Sequence, residues 1–186
     1  MSLHELDASK KYSIEEVASW PDAEQWEIID GVPYLMTSPT IEHEDISTQI
    51  RTIFNVYIRA NHPDCRVYGD PAGIVLSEED NQMVRPDLFV VCNPAVNNGR
   101  MQGIPELVIE ILSKNTASRD VNTKKWLYEK TGVKEYWIID PVHQLVEIYK
   151  YQNGKYRFDG HYTKEDTVQV SVFEGFLIKL SEVFLL

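Results

Sequence analysis

Two acidic residues lie in the most apolar parts of this chain. Glu110 interrupts the aliphatic run from Leu107 to Leu112, and Asp87 begins a second apolar segment that continues to Val91. A carboxylate that is buried among aliphatic side chains without a partner is costly, and two such carboxylates repel each other unless a cation neutralises them. Carboxylate oxygens and water are ligands that Mg²⁺ prefers. The pair therefore predicts a divalent-metal site.

The alternation of side chains along a strand brings these acids together. Glu110 shares a strand face with Val108, and Asp87 shares a face with Phe89. If the two strands are neighbours, both carboxylates approach the same point. In the alternative interpretation, Asp87 caps a turn after Pro86, and Glu110 pairs with a buried arginine or lysine.

A lysine on the helix that follows extends this cluster. Helical spacing places Val121, Lys124 and Tyr128 on one face, so we expect Lys124 to face the sheet. Its stem can be buried while its ammonium reaches the acids. There it would hold or activate an attacking water, or stabilise charge that develops on a phosphate. The alternative is an ordinary lysine in solvent.

A histidine on the first long helix is the next candidate. His43 lies one turn before Ile46 and Ile50, on the apolar side of that helix. Histidines in such positions are more often satisfied core residues. Its place at the start of the helix also allows a role as metal neighbour, phosphate contact or proton carrier.

The elements that must position these residues follow from periodicity and end signals. Ser13 with Glu16 predicts a capped short helix, and helical spacing predicts a second helix from Thr40 to about Ala60. Another helix is expected from about Ala117 to Lys130, ending at Gly132. The predicted strands and hairpins cover 27–36, 65–68, 73–76, 84–92, 107–112, 135–139, 145–151, 155–162 and 168–172, with a short strand and turn in 176–186.

This order predicts an α/β fold in which helices flank a mixed central β-sheet. Residues 1–186 are expected to form a single domain. The stretch from Leu107 to Ile139 has the length of a βαβ unit, which predicts a parallel pair of strands there.

Composition limits the partners. The net charge is −11, and residues 1–45 alone carry eleven acids and two bases. Such acidity disfavours binding to nucleic acid, although six bases and two acids between Lys114 and Lys134 lessen the objection. No apolar run is long enough for a membrane helix and no signal peptide is visible. We interpret Cys65 and Cys92 as isolated core thiols, which favours a cytoplasmic protein.

The pattern of Pro86-Asp87, a gap of about twenty residues, and Glu110 followed by a helix with a lysine resembles the PD-(D/E)XK nuclease superfamily. The usual lysine two residues after the glutamate is Leu112 here, so Lys124 would be a lysine that has migrated to the helix. Additional segments resemble the Uma-type restriction endonuclease family, and the resemblance covers nearly the whole chain. They are Glu27-Ile-Ile-Asp30-Gly31, Ser38-Pro39 before His43, Glu110-Ile-Leu-Ser113, Arg119-Asp120, Lys124 with Tyr128, and Gly132 to Pro141.

The resemblance implies a restriction-endonuclease-like core and a DNA endonuclease that depends on Mg²⁺, with Mn²⁺ as a substitute. It implies metal binding by Asp87, Glu110 and the backbone carbonyl of Ile111, and a water positioned by Lys124. Glu27 and His43 would be further site residues. A duplex cutter commonly pairs two sites, so a homodimer is expected.

Two alternatives remain open at this point. In the first alternative, the chain is an inactive interaction or binding module on a nuclease-like scaffold, since fold does not fix function. Otherwise it is a metal-dependent hydrolase of a small phosphorylated substrate, which escapes part of the repulsion that a polyanion meets.

Overall fold

Most of the regular structure consists of strands. The computed structural model of the chain describes residues 6–7, 9–20, 25–36, 38–113 and 120–185. The helices are α1 (Ile14–Ala18), α2 (Ile41–Asn61) and α3 (Lys125–Thr131), with a π-helical turn (Asp120–Lys124) before α3 and a 3₁₀ helix (Leu180–Glu182) near the end. The strands are β1 (Trp26–Ile29), β2 (Val32–Leu35), β3 (Cys65–Tyr68), β4 (Ile74–Ser77), β5 (Gln82–Val84), β6 (Leu88–Cys92), β7 (Ala95–Asn97), β8 (Arg100–Gln102), β9 (Leu107–Ile111), β10 (Glu135–Asp140), β11 (Leu145–Gln152), β12 (Lys155–Thr163), β13 (Thr167–Gln169) and β14 (Leu177–Lys179).

The central sheet contains six strands in the order β12-β11-β10-β9-β6-β3. Strands β9 and β10 pair in parallel, with Glu110 opposite Ile138, and the other neighbours are antiparallel. The parallel pair confirms the expected connection between Leu107 and Ile139.

A second sheet divides the strands in a way that the sequence did not predict. This N-terminal sheet has the order β2-β1-β5-β4-β8-β7, with β4 and β8 parallel, and β13 pairs with β14 separately. The α/β fold with a mixed-sheet core is confirmed, but the strands do not form one central sheet. The short hairpin of β7 and β8 was not predicted, because its strands lack a clear apolar period.

One face of the central sheet is covered by α2. Ile46, Ile50, Phe54 and Ile58 recur at helical spacing and pack with apolar residues of β6, β9 and β10, among them Trp137. The C-terminal segment completes this layer through residues such as Phe176 and Phe184. As expected, Tyr136 and Trp137 belong to the core.

The other face of the central sheet packs against both α3 and the N-terminal sheet. Phe89 and Val108 of the central sheet share this layer with Ile29 of β1 and with Leu127 and Tyr128 of α3. Strands β1 and β9, the residue before β6 and the π-helical turn before α3 carry candidate site residues, and their neighbours on these elements meet between the two sheets.

Local signals fix several element ends. Ser13 and Glu16 form the expected capping box of α1, and the Thr40 hydroxyl accepts a hydrogen bond from the backbone N–H of His43. Gly132 ends α3 in the left-handed conformation (φ 85°), which glycine adopts without steric cost. The predicted Asn153-Gly154 hairpin also has positive φ at both residues.

Two sequence interpretations are wrong. The predicted strand from Val84 to Cys92 is interrupted at residues 85–87, where the chain passes from the N-terminal sheet to the central sheet. Cys65 and Cys92 lie opposite each other on β3 and β6 and form a disulfide. They are not isolated thiols, so the argument from free cysteines to a cytoplasmic location no longer holds. The cytoplasmic location stays a prediction.

The start predicted for the third helix, at Ala117, lies outside the described residues, as does Arg119 of the Arg119-Asp120 motif. Among the helices of the described ranges, none combines the length and the apolar character needed to cross a membrane.

The buried carboxylate of Glu135 generates a prediction about stability. It accepts hydrogen bonds from the Trp137 indole N–H at 2.8 Å and from the Val172 backbone N–H at 3.1 Å. Glu135→Ala leaves both buried donors without acceptors, at about 1–3 kcal/mol each. We expect the free energy of unfolding, measured by urea denaturation, to fall by about 3 kcal/mol. The exposed Glu165→Ala is the control, and equal effects of the two variants would contradict this role.

Candidate active site

Asp87 and Glu110 lie at the same end of two neighbouring strands. The antiparallel register pairs Leu88 with Ile109 and Phe89 with Val108, so Asp87, which directly precedes Leu88, lies beside the part of β9 that carries Glu110 and Ile111. The Ile111 backbone N–H donates to Asp87 Oδ2 at 2.7 Å, which fixes the aspartate beside the glutamate strand.

Lys124 is buried between two carboxylates. Its Nζ lies 2.9 Å from Glu27 Oε1 and 2.9 Å from Glu110 Oε1. The side-chain exposures of Lys124, Glu27 and Glu110 are only 1%, 0% and 3%. The interpretation of Lys124 as a solvated lysine is wrong, and the pairing of Glu110 with a buried lysine describes the observed geometry.

The backbone that carries Lys124 is unusual. The residue ends a π-helical turn, Asp120–Lys124, and the chain continues directly into α3. Single π-helical turns are rare and occur frequently at functional sites. Here the turn places Lys124 so that its side chain enters the layer between the sheets.

Tyr128 holds the same glutamate. Its hydroxyl donates a hydrogen bond to Glu110 Oε1 at 2.7 Å. The same oxygen therefore accepts hydrogen bonds from the tyrosine hydroxyl and from the lysine ammonium. Burial and the nearby Glu110 carboxylate raise the pKa of Tyr128 well above its ordinary range, so it stays a donor. Sequence reasoning placed Tyr128 beside Lys124 without a site role; its spacing of four residues from Lys124 was the available signal.

Glu27 reaches the cluster from the other sheet. It lies on β1, and its Oε1 also accepts the Arg85 backbone N–H at 2.9 Å. Because Arg85 follows β5 at the passage between sheets, this hydrogen bond ties the crossing segment to the ion pair. The structure therefore brings Glu27 to Lys124, and Glu27 was a predicted site residue only through the family resemblance.

His43 lies beside Asp87 and not beside the lysine. Its Nε2 is 3.1 Å from Asp87 Oδ1, and Asp87 is the more accessible acid, with a side-chain exposure of 15%. Helix α2 covers the opposite face of the central sheet, and its first turn, which carries His43, contacts Asp87 directly before β6. All five predicted side chains thus gather in one region, and their chemical roles stay predictions.

Sequence reasoning missed the segment from Gly69 to Asp70. Partial burial and the neighbouring Asp87 carboxylate raise the pKa of Asp70, which shows that two acids share this edge. A Cβ on Gly69 would collide with the backbone oxygen of Asp87 and with the Arg51 guanidinium. Glycine is therefore required for the close approach that places this segment against Asp87.

The site offers carboxylate oxygens to a divalent cation. Asp87, Glu110 and Glu27 are acids of the kind that bind Mg²⁺. Within the described ranges, no three or more His, Cys, Asp or Glu side chains are spaced to enclose a metal. Mg²⁺ is compatible with such a sparse set, since it keeps several waters and commonly takes one or two carboxylates.

The basic segment between Lys114 and Lys134 offers less positive surface than its composition suggests. Lys124 is buried, Lys134 pairs with Glu106, and Lys130 lies 3.5 Å from Asp80. The charges of these three lysines are neutralised by acids of the same protein. These lysines therefore do not offset the acidity of the chain.

The chain has relatives among known protein families and solved structures. Residues 14–181 match the family described as "Putative restriction endonuclease" (Uma2). No curated protein matches the chain significantly. Among solved structures, the chain is similar to one described as "a putative nuclease belonging to DUF820" from Anabaena variabilis ATCC 29413. The sequence identity is 21%, the TM-score is 0.73, and the match covers 92% of this chain and 97% of that chain, which shows a shared fold.

The buried ion cluster predicts how the protein responds to loss of its lysine. Lys124→Met leaves two buried carboxylates without their shared cation, and breaking a buried pair costs about 3–5 kcal/mol. We expect urea denaturation at pH 7 to show a loss of this size, and acid conditions that protonate the carboxylates to reduce it.

The design includes two comparisons. Lys130→Met removes an exposed lysine and should change the free energy of unfolding by less than about 1 kcal/mol. Adding Glu27→Gln to Lys124→Met should recover part of the loss, because the two changes act on one network. Simple additivity of these two substitutions would show that the cluster is not energetically coupled.

Proposed function

Because the chain belongs to the Uma2 family, described as "Putative restriction endonuclease", we propose that it is a metal-dependent nuclease that hydrolyses phosphodiester bonds in DNA. One observation carries the proposal. The Lys124 ammonium lies between Glu27 and Glu110, and Asp87 lies beside the end of the strand that carries Glu110. The opposed acids and helical lysine provide the functional groups expected of a PD-(D/E)XK-type site whose lysine has migrated.

Asp87 and Glu110 are the proposed metal ligands, for Mg²⁺ or for Mn²⁺ in its place. The backbone carbonyl of Ile111 is the third. Its N–H donates to Asp87, and the N–H and C=O of one strand residue project to the same side, so the carbonyl is directed toward Asp87 as well. A bound divalent ion supplies an activated water at neutral pH and polarises the phosphoryl group.

Lys124 acts on the water and on the phosphate. Its ammonium can orient the attacking water or stabilise negative charge on the phosphoryl oxygens in the transition state. Glu27 shares Oε1 with the ammonium and with the Arg85 backbone, so Glu27 would remain a counter-ion for the lysine if Glu110 also held the metal. Tyr128 donates to Glu110 Oε1 and holds that carboxylate in place.

His43 is a positioning residue in this scheme. Its Nε2 lies at Asp87 Oδ1 while the Ile111 N–H binds Oδ2. The two contacts hold the carboxylate in one orientation and leave its remaining lone pairs for a metal. We further propose a homodimer, since cutting both strands of a duplex requires two sites.

The acidity of the chain favours one alternative. With a net charge of −11, and with Lys124, Lys130 and Lys134 paired with acids, the protein repels long polyanions. A metal-dependent hydrolase of a small phosphorylated substrate meets less repulsion. Parallel assays on supercoiled plasmid, single-stranded DNA, RNA and nucleotides separate the two functions.

The decisive assay is cleavage of plasmid and oligonucleotide DNA in Mg²⁺ or Mn²⁺. We expect Asp87→Asn and Glu110→Gln to abolish cleavage, because a neutral amide binds a hard cation poorly. Lys124→Met should reduce the rate about 100-fold or more, and Lys130→Met should cut like the wild type. Thermal melts confirm that each variant is folded. Cleavage that persists in EDTA, or in both carboxamide variants, would refute the proposed mechanism.

A further inference from the structure

A second concave site lies on the outer face of the N-terminal sheet. It is a cavity of about 560 Å³ between α1, the sheet and the β7–β8 hairpin. Its wall includes Trp20 and Trp26, whose ring centroids are 5.0 Å apart at an interplanar angle of 80°. We refer to it as the indole cavity. Its volume falls in the range of cavities that bind small organic groups.

The charged residues in the described lining of the indole cavity are both arginines. Its described lining contains Arg85 and Arg100 and no acidic residue, and the rest is mainly apolar and aromatic. Glu15 approaches Arg100 at 3.6 Å, but its own side chain is largely exposed. In a protein with a net charge of −11, an arginine-bearing aromatic cavity favours a ligand that combines a flat ring with an anion.

The indole cavity and the candidate active site share a residue. The backbone N–H of Arg85 donates to Glu27 Oε1, the oxygen that also contacts Lys124. The Arg85 side chain extends along the cavity wall, where Nε donates to the Trp26 carbonyl at 3.2 Å and Nη1 donates to the Pro71 carbonyl. These contacts fix the guanidinium at the boundary between the two sites.

The hairpin beside the cavity offers further apolar contact. All residues of β7 are exposed, and the Val96 side chain contributes to the cavity wall. Met83 and Met101 form other parts of the wall, and methionine adapts to flat rings of different shapes. The wall therefore suits an aromatic base without demanding one base in particular.

We propose that the indole cavity receives an unpaired nucleotide of the substrate strand. The base lies against Trp20 and the methionines, and the adjoining phosphate lies near Arg100 and Arg85. This inference rests on the proposed function and adds to it a preference for single-stranded or frayed DNA. Aromatic stacking and arginine contacts are the general means by which proteins bind single strands without sequence preference.

The test measures binding apart from cleavage. A fluorescein-labelled single-stranded DNA of ten nucleotides is titrated with the intact protein in EDTA, and anisotropy reports the dissociation constant. We expect tighter binding of this strand than of the matching duplex, and about tenfold weaker binding by Trp20→Leu and by Arg100→Gln. An abasic strand of equal length keeps the phosphates and should also bind about tenfold more weakly.

Matched controls make the result specific. Arg157→Gln removes an exposed arginine of β12 and should leave the dissociation constant unchanged. Equal weakening by Arg157→Gln, or equal binding of abasic and intact strands, would show a general charge effect and overturn the proposal. So would unchanged binding by both Trp20→Leu and Arg100→Gln, with Arg100→Gln as the variant that leaves the apolar wall intact.

Failure of this inference can be told from failure of the proposed function. If the wild type cuts DNA but the cavity variants bind normally, only the cavity proposal fails. If the strand binds in the cavity but nothing is cut with Mg²⁺ or Mn²⁺, the nuclease proposal fails and the binding site stands.

Discussion

The buried contact of the Lys124 ammonium with Glu27 and Glu110 is the interaction on which the arrangement of this molecule depends. Each partner comes from a different element: Glu27 from the N-terminal sheet, Glu110 from the central sheet and Lys124 from the turn before α3. Desolvation costs several kcal/mol per ion, and apolar residues of similar volume often stabilise a protein as well or better. A function that needs charged groups at this point is therefore the better explanation of the cluster.

Hydrogen bonds from neighbouring elements hold the carboxylates of this cluster and of Asp87 in place. Tyr128 and the Arg85 backbone N–H satisfy oxygens of the two glutamates, while Ile111 and His43 hold the two oxygens of Asp87. Carboxylates are the ligands that a hard divalent ion prefers. The net charge of −11 makes long polyanions poor partners for most of the surface, which gives the arginine-lined indole cavity its significance.

The sequence predicted those parts of the site that depend on local periodicity. Alternation placed Asp87 and Glu110 on one face, helical spacing placed Lys124 toward the sheet, and Thr40 and Gly132 marked helix ends. Glu27 came only through a resemblance, because nothing local in β1 indicates which sheet will face it. Long-range pairing determined the remainder. The disulfide of Cys65 with Cys92, the division into two sheets and the approach of Asp70 to Asp87 each depend on register between distant segments, which composition does not encode.

Anomalous diffraction from crystals soaked in Mn²⁺ tests whether a divalent ion binds at Asp87 and Glu110. We expect a peak between these two carboxylates, next to the Ile111 carbonyl, with the Lys124 ammonium still held by Glu27. We expect no peak at this position in Asp87→Asn. A saturating soak that leaves this position empty in the wild type, with Lys124 still held by both glutamates, would contradict this expectation.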